Sequence, residues 1–466
     1  MIKPLFALML LWTGAVEPGG VGLPSKTPAA VGMSATRLEA IDHIMSRAIR
    51  AGGFPGGVVI VGRRGATVLE KGYGNLGWSD KTKVVAERTI YDLASLTKVV
   101  ATTTALMILY DQGKIQLDEP VSTYLPAFHG GAKDDITVRL LLEHRSGLPA
   151  DRDFWRTSFT PEDTRQAEFA TPLECAPGSC YIYSDIGADI LGFVVEALSG
   201  QRLDAFLQTQ VYGPLNMEDT GFKPHWTLRD RIAPTELSPP RGYPLRGEVH
   251  DENAFALGGV AGHAGLFSTA SDLAVFAQMM LNGGELNGVR IVADSTVALF
   301  TARTSATDTR NTRDTRALGW DTCGKDNACG KQLSPRAFGH TGFTGTSLWI
   351  DPDRDMFVIL LTNRVHAARA RRPSKVISDI RMDVQDVAAL AVRDYGPGMR
   401  SMPASFRADR ASGWNRPIRS RKVRSRSSTS GKAQAKPAPA ATPKKSALVK
   451  PPVVAKSTTR PGDGLR

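Results

Sequence analysis

Unbroken apolar runs, rather than alternation, mark the strands of this chain. Residues 57–62 read Gly-Val-Val-Ile-Val-Gly, and 66–71 follow after the turn Arg63-Arg64-Gly65. A short β-branched run bounded by turn residues is a buried strand, so the two segments predict a hairpin. Leu348-Trp349-Ile350 and 356–361 form a second pair, joined through Asp351-Pro352-Asp353. Between the pairs the pattern is mostly helical. Residues 102–110 predict a helix stopped near Gly113, 190–198 one ended by Gly200, and 273–281 one ended by Gly283-Gly284. A glycine just past the last apolar position is a helix stop signal. A last helix is expected over 376–395. Strands at both ends with helices between predict an α+β body whose sheet is closed by N- and C-terminal pieces. No internal repeat is visible.

Composition alters this picture mainly at the ends. The 466 residues are 42% hydrophobic and 22% charged, enough for a large enzyme domain with a sizeable core. The net charge is +12, but 16 of the 58 Lys+Arg and 2 of the 46 Asp+Glu lie in 401–466. That segment therefore carries +14 and the rest −2, so the body is nearly neutral. From residue 397 the chain is Pro-, Ala- and Lys/Arg-rich, a composition that cannot bury enough surface to offset chain entropy, and 397–466 is expected to be a disordered tail. It reads as a solvated extension, or as a tether to anionic envelope polymers. At the other end, Lys3, the apolar run from Leu5 to Trp12 and the small residues Thr13-Gly14-Ala15 have the form of a secretory leader over 1–20. A leader places the mature protein in the periplasm or outside the cell, where disulfides persist, and keeps the basic tail from nucleic acid. No run reaches the ~20 apolar residues of a membrane span.

Three short motifs bear on chemistry. Ser95-Leu96-Thr97-Lys98 follows Asp92 at the start of an apolar helical pattern. The spacing puts Ser95 in the first turn with Lys98 on the same face, and the helix N-terminus supplies positive potential. A lysine desolvated against Val99 and Val100 is expected to have a lowered pKa and to accept the serine proton. A capped helix with a surface lysine would look the same. Tyr183-Ser184-Asp185 follows Cys175-Ala176-Pro177-Gly178-Ser179-Cys180, whose Pro-Gly is a turn signal. A tyrosine near a Ser–Lys pair can relay a proton; a tyrosine packed at a helix start is the plainer reading. His340-Thr341-Gly342-Phe343-Thr344-Gly345 opens the strand that ends at Ile350. Glycines there admit a ligand to an edge backbone, and an N–H in that strand, with that of Ser95, could form an oxyanion hole. The bland alternative is a hairpin strand with a surface histidine.

In this order the three motifs resemble the Ser-x-x-Lys, Tyr-x-Asn and Lys/His-x-Gly elements of the penicillin-recognising serine hydrolases. Within them the chain looks like the class C β-lactamase-related branch, which includes DD-peptidases, D-aminopeptidases and esterases. Similar stretches lie between the motifs: Ile136 to Pro149, Pro214-Leu215-Asn216-Met217, and Ala264 to Leu273. The resemblance covers about residues 30–396. It implies an antiparallel sheet flanked by helices beside a mostly helical subdomain, with the site between them. It implies Ser95 as acylated nucleophile, Lys98 and Tyr183 as shared base, Ser95 and Phe343 N–H as oxyanion donors, and Asp185, His340, Thr341, Gly342 and Phe343 as substrate-binding positions, with His340 either meeting the substrate carboxylate or supporting Tyr183. No cofactor or metal is implied. The expected substrate is a small ester, a β-lactam or a peptidoglycan-derived D-amino-acid peptide.

Two departures shape the functional expectation. Asp185 stands where the β-lactamases carry Asn, and a carboxylate beside Lys98 favours the charged lysine, leaving more of the base work to Tyr183. His340 stands in place of Lys and is expected to offer a partial charge near pH 7. Both changes favour an esterase or a peptidase over an efficient β-lactamase. A true β-lactamase and a catalytically silent peptidoglycan-binding protein of the same fold are the competing readings.

Other motifs are missing: Gly-x-Ser-x-Gly, His-Glu-x-x-His, Cys-x-x-Cys and a Walker-type loop. Asp251, Asn253 and His263, around Gly258–Gly262, form a polar patch that either lines the cleft or merely packs. The four cysteines favour two local disulfides, 175–180 and 323–329, each spanning a turn; buried thiols are the alternative.

Overall fold

The computed structural model describes residues 22–238, 241–304, 316–324, 328–396 and 400–415. The expected leader over 1–20 and the part of the expected tail from 416 onward lie outside them.

Six strands form one antiparallel sheet: β1 (Gly56–Arg63), β2 (Ala66–Gly74), β3 (Asp321–Thr322), β4 (Phe338–Thr341), β5 (Ser347–Asp351) and β6 (Met356–Thr362), in the order β3-β4-β5-β6-β1-β2. The two expected hairpins are β1–β2 and β5–β6, and the closure of N- against C-terminal strands is the β1–β6 pair. Side-chain parity explains their unbroken apolar runs. Val58 and Ile60 of β1, with Phe357, Ile359 and Leu361 of β6, enter the core shared with the helical region. Val59 and Val61, with Met356, Val358 and Leu360, enter a second core on the opposite face. A sheet buried on both faces has no reason to alternate.

The second core is closed by α1 (Ala40–Arg50) and by a long helix near the C-terminus, while the first contains α2 (Thr104–Asp111), α3 (Asp185–Ser199), the short α4 (Glu252–Ala256) and α5 (Ala270–Leu281). The long helix, α6, spans Pro373–Ala391 and stops before the expected 395. Val392 instead turns extended and pairs with Met33, and the Arg393 amide donates to the Gly32 carbonyl. A bridge to the N-terminal segment thus ends the helix. Among the described residues, no helix is long and apolar enough to cross a membrane.

Packing extends past the expected body of 30–396 at both ends. Ser25 pairs with Thr67, and Leu23 packs on the first core. At the other end a short helical turn, Arg407–Gly413, lies on α1 and α6. Ala408 and Trp414 are fully buried, the Trp414 Nε1–H donates to Asp379 Oδ2 at 2.8 Å, and Arg407 pairs with Asp383 at 2.8 Å and Asp386 at 2.9 Å. The boundary drawn at 397 from composition therefore falls short. One tryptophan and one arginine in a polar stretch carry too little pattern to signal an anchored turn. Because the indole fills the space between α1 and α6, Trp414→Ala is expected to cost ~3–5 kcal/mol in urea-induced unfolding. An unchanged midpoint would show that this turn is ornamental.

Candidate active site

Ser95 sits where the small sheet edge at Tyr91–Asp92 turns into helix. A 3-10 turn, Ala94–Leu96, leads into a π-helical stretch, Lys98–Thr103, and then into α2. Ala94 has φ +48°, a left-handed conformation that costs a non-glycine residue about 1–3 kcal/mol. The buried Asp92 carboxylate holds it there, accepting the Ala94 amide at 2.9 Å and the His250 amide at 2.7 Å. The expected i, i+3 geometry is realised: Lys98 Nζ donates to Ser95 Oγ at 3.1 Å.

Lys98 is buried, but its charge does not go as the sequence suggested. Burial alone would lower its pKa. The Asp185 carboxylate at 2.6 Å and the Tyr183 hydroxyl outweigh burial and raise it, so the ammonium is retained. The lysine also donates to the His263 carbonyl at 3.3 Å. The departure at Asp185 therefore governs, and the expected lowering against Val99 and Val100 is corrected.

Tyr183 and Asp185 are delivered by a laced loop. The 175–180 disulfide is formed, and the segment behind it binds the 144–150 stretch. The Gly178 amide donates to Arg145 O, Ile182 N to His144 O, and Asp185 N to Ala150 O. Ser184 donates its amide to His144 Nδ1 at 3.0 Å and its hydroxyl to Pro149 O at 2.6 Å, then caps α3 by accepting from the Gly187 amide. His144 is fully buried, and burial together with Arg316 and Lys98 keeps it neutral, as acceptance from an amide requires. Gly147 has φ +82°, and a Cβ there would strike the Cys175 carbonyl at 2.1 Å. This is a physical reason for the Glu-His-Arg-Ser-Gly-Leu-Pro stretch. The second cysteine pair is not bridged: Cys323 and Cys329 are thiols, hydrogen-bonded to each other.

The third motif is hooked to the segment that leads into Ser95. Thr344 Oγ1 donates to Asp92 O at 2.7 Å and Thr346 Oγ1 to Leu93 O at 2.9 Å. A Cβ on Gly342 would meet Leu93 O at 2.2 Å, so only glycine allows this approach. Arg381 clamps the turn by donating to Gly342 O and Thr346 O. Ser95, Tyr183, His340, Thr341, Gly342 and Phe343 share one cleft of about 420 Å³. Asp185 reaches it through Lys98.

His340 does not offer the expected partial charge. It is buried and stacked 5.9 Å from the Tyr183 ring, and burial, with Arg316 and Lys98 nearby, pushes it down to about 4. Positive charge in the cleft comes instead from Arg316, Arg364 and Arg381. Arg316 lies 5.6 Å from the Tyr183 ring centre and pairs with Asp321; Arg364 stacks 4.5 Å from the Phe343 ring. Sequence reading missed all three, because no local pattern distinguishes them from surface arginines.

The Asp251/His263 patch resolves into a buried ion network. His263 Nδ1 faces Asp189 at 2.7 Å and Nε2 faces Asp251 at 2.9 Å, and these carboxylates, against burial, hold the imidazole protonated. Glu168 lies beside Asp189, and burial raises its carboxyl well above the usual range. Asn253 stands apart from the imidazole: its amide donates to Asp151 and to Arg152 O. The patch thus packs beneath Lys98, with Asp251 at its half-exposed edge.

Fold and motif order together define a serine hydrolase. A model of the Beta-lactamase family matches residues 41–379, and the chain belongs to that family. The N-acetylmuramyl-L-alanine amidase of Bacillus subtilis (strain 168) is 37% identical over 369 residues, covering 72% of this chain and 82% of the amidase. A protein of Salmonella schwarzengrund (strain CVM19633) named "Putative D-alanyl-D-alanine carboxypeptidase" is 36% identical over 381 residues, covering 74% of this chain and 87% of that protein. The crystal structure of a penicillin-binding protein homologue from Caulobacter crescentus superposes with a TM-score of 0.61 at 21% identity, over 77% of this chain and 99% of that one. At that identity the likeness speaks for the fold.

The neutral, buried His340 makes a prediction for stability. The unfolded chain takes up a proton on this residue near pH 6.5, the folded protein only near 4. Stability should therefore fall as pH drops through that window, by up to ~3 kcal/mol from this residue. Urea unfolding at pH 7 and pH 5 should show a smaller loss in His340→Phe than in wild type. An equal loss in both would contradict a neutral His340.

Proposed function

We propose that the protein hydrolyses amide bonds of peptidoglycan-derived peptides through an acyl-enzyme on Ser95. The observation that carries this reading is the Lys98 ammonium within hydrogen-bond reach of Ser95 Oγ, Asp185 and the Tyr183 hydroxyl together. In the reactive form the Lys98–Tyr183 pair has given up one proton. It takes the Ser95 proton as Oγ attacks the carbonyl carbon, and returns it to the leaving nitrogen as the C–N bond breaks. Water then cleaves the ester with the same pair as base, restoring Ser95 and releasing a carboxylic acid. The Ser95 and Phe343 backbone N–H groups serve as oxyanion donors; one such donor contributes about 10²–10³ in rate. Arg364, whose Nε has no hydrogen-bond partner among the described residues, supplies the counter-charge for a substrate carboxylate in place of the family's lysine.

The activities named for the two sequence relatives support an amide substrate. The Cys175–Cys180 disulfide fits a periplasmic or secreted location. Retention on anionic wall polymers through the basic tail belongs to the same proposal. A neutral His340 and a carboxylate at 185 argue against efficient β-lactam turnover.

The test is kinetic, comparing a muramyl peptide, a D-alanyl-D-alanine peptide, a p-nitrophenyl ester and a chromogenic cephalosporin. Amide and ester turnover should exceed cephalosporin turnover, and Lys98→Ala and Tyr183→Phe should each lower kcat by about 10²–10⁴. Because Asp185 favours charged Lys98, Asp185→Asn should move the rising limb of kcat/KM to lower pH. A limb that moves to higher pH, or cephalosporin as the best substrate, would overturn the reading.

A further inference from the structure

Two cations of the cleft have no counter-ion among the described residues. Arg364, just past β6, and Arg381, on α6, grip the turn at 342–346 from different elements. The Arg364 amide donates to Thr344 O, and its guanidinium lies over the Phe343 ring. Arg381 donates through Nη2 to Gly342 O at 2.6 Å and to Thr346 O at 2.7 Å. Both side chains line the cleft of Ser95. The other cations of the site are matched: Lys98 by Asp185, Arg316 by Asp321, and His263 by Asp189 and Asp251.

The missing charge shows in both arginines. Arg364 is only 9% exposed, and its Nε has no partner among the described residues. Burial lowers its pKa against the pull of Glu236, but that carboxylate is already bonded to His250 at 2.6 Å. Burial, together with Arg364 itself, pushes Arg381 down to about 9, so both are charged at neutral pH. The clamp on the two carbonyls uses Nη2 alone, and Nη1 of Arg381 has no partner among the described residues. Two like charges held together in a partly dry site are costly unless a ligand supplies the opposite charge.

One substrate carboxylate answers only one of these guanidiniums. We propose that Arg364 and Arg381 together form a dianion subsite, and that the substrate residue held there carries two carboxylates, as an acidic amino acid does. Planar guanidiniums match carboxylates fork to fork. With the α-carboxylate at Arg364, the side-chain carboxylate goes to Arg381. In a peptide the free α-carboxylate belongs to the terminal residue, whose nitrogen is the one released, so the acidic residue is the leaving one. The inference rests on the amide-hydrolase reading, with Arg364 as its carboxylate site, and adds a second charge to the substrate.

Binding and turnover test it separately, at matched ionic strength on the full-length protein. N-acetyl-D-glutamate should inhibit p-nitrophenyl acetate hydrolysis with a Ki at least ~10-fold below that of N-acetyl-D-glutamine, the fold-change of one charge-assisted hydrogen bond. By the same margin, kcat/KM for N-acetyl-D-alanyl-D-glutamate should exceed that for N-acetyl-D-alanyl-D-glutamine. Both preferences should vanish in Arg381→Gln. Because Arg381 also clamps the turn, a wild-type measurement accompanies it: N-acetyl-D-glutamate should raise Tm more than N-acetyl-D-glutamine does. Equal Ki values with equal Tm shifts, or a preference that survives in folded Arg381→Gln, would overturn the dianion subsite. Equal turnover of the two peptides would overturn it while leaving the amide hydrolase standing. Preferential inhibition by N-acetyl-D-glutamate without turnover of either peptide would uphold the subsite and overturn the amide reading instead. Inorganic phosphate inhibiting at lower concentration than N-acetyl-D-glutamate would overturn the dicarboxylate and reassign the pair to a phosphoryl group.

Discussion

Everything around the site answers to one constraint, a lysine ammonium kept charged inside the protein. An isolated buried ammonium loses several kcal/mol of hydration and sheds its proton unless partners replace the water. Lys98 has four such partners, Ser95 Oγ, the Tyr183 hydroxyl, Asp185 and the His263 carbonyl, and all but Ser95 come from distant parts of the chain. Each must itself be held. Asp185 depends on the loop that His144, Ser184 and the 175–180 disulfide lock together. The His263 carbonyl depends on an imidazole fixed between Asp189 and Asp251. The geometry around Ser95 and Lys98 is thus set by groups that do not line the cleft.

The charge balance of the cleft follows from the same constraint. With Lys98 held charged nearby, a second cation at position 340 would meet like-charge repulsion. A buried neutral histidine instead packs on Tyr183. The positive potential is moved to arginines on other elements: Arg316 against the tyrosine ring, Arg364 over Phe343, and Arg381 holding the turn that bears Gly342. Guanidiniums tolerate such burial because they stay ionised and spread their donors in a plane.

Much of this was legible in the sequence, and the pattern of successes has a cause. The hairpins of β1–β2 and β5–β6 announce themselves because both faces are buried, and Ser95 to Lys98 is read correctly because i, i+3 on a helix is local geometry. Asp185 was foreseen to favour a charged lysine, since the motif itself names the neighbour. What escaped reading is non-local. His340 loses its charge to burial that spacing does not reveal. Arg364 gains its place only when strand β6 is laid beside the turn at 342–346. Trp414 anchors a segment whose composition says tail, because one buried indole outweighs several polar neighbours. The bridge expected at 323–329 had spacing in its favour, yet the two thiols are hydrogen-bonded rather than joined.

The central claim is that the Lys98 device activates one serine and no other. Intact-mass measurement after treatment with a fluorophosphonate, followed by peptide mapping, tests it most directly. The account predicts a single adduct, on Ser95, and none on the folded Ser95→Ala protein. An adduct on another residue, or a folded wild-type protein that stays unlabelled, would contradict it.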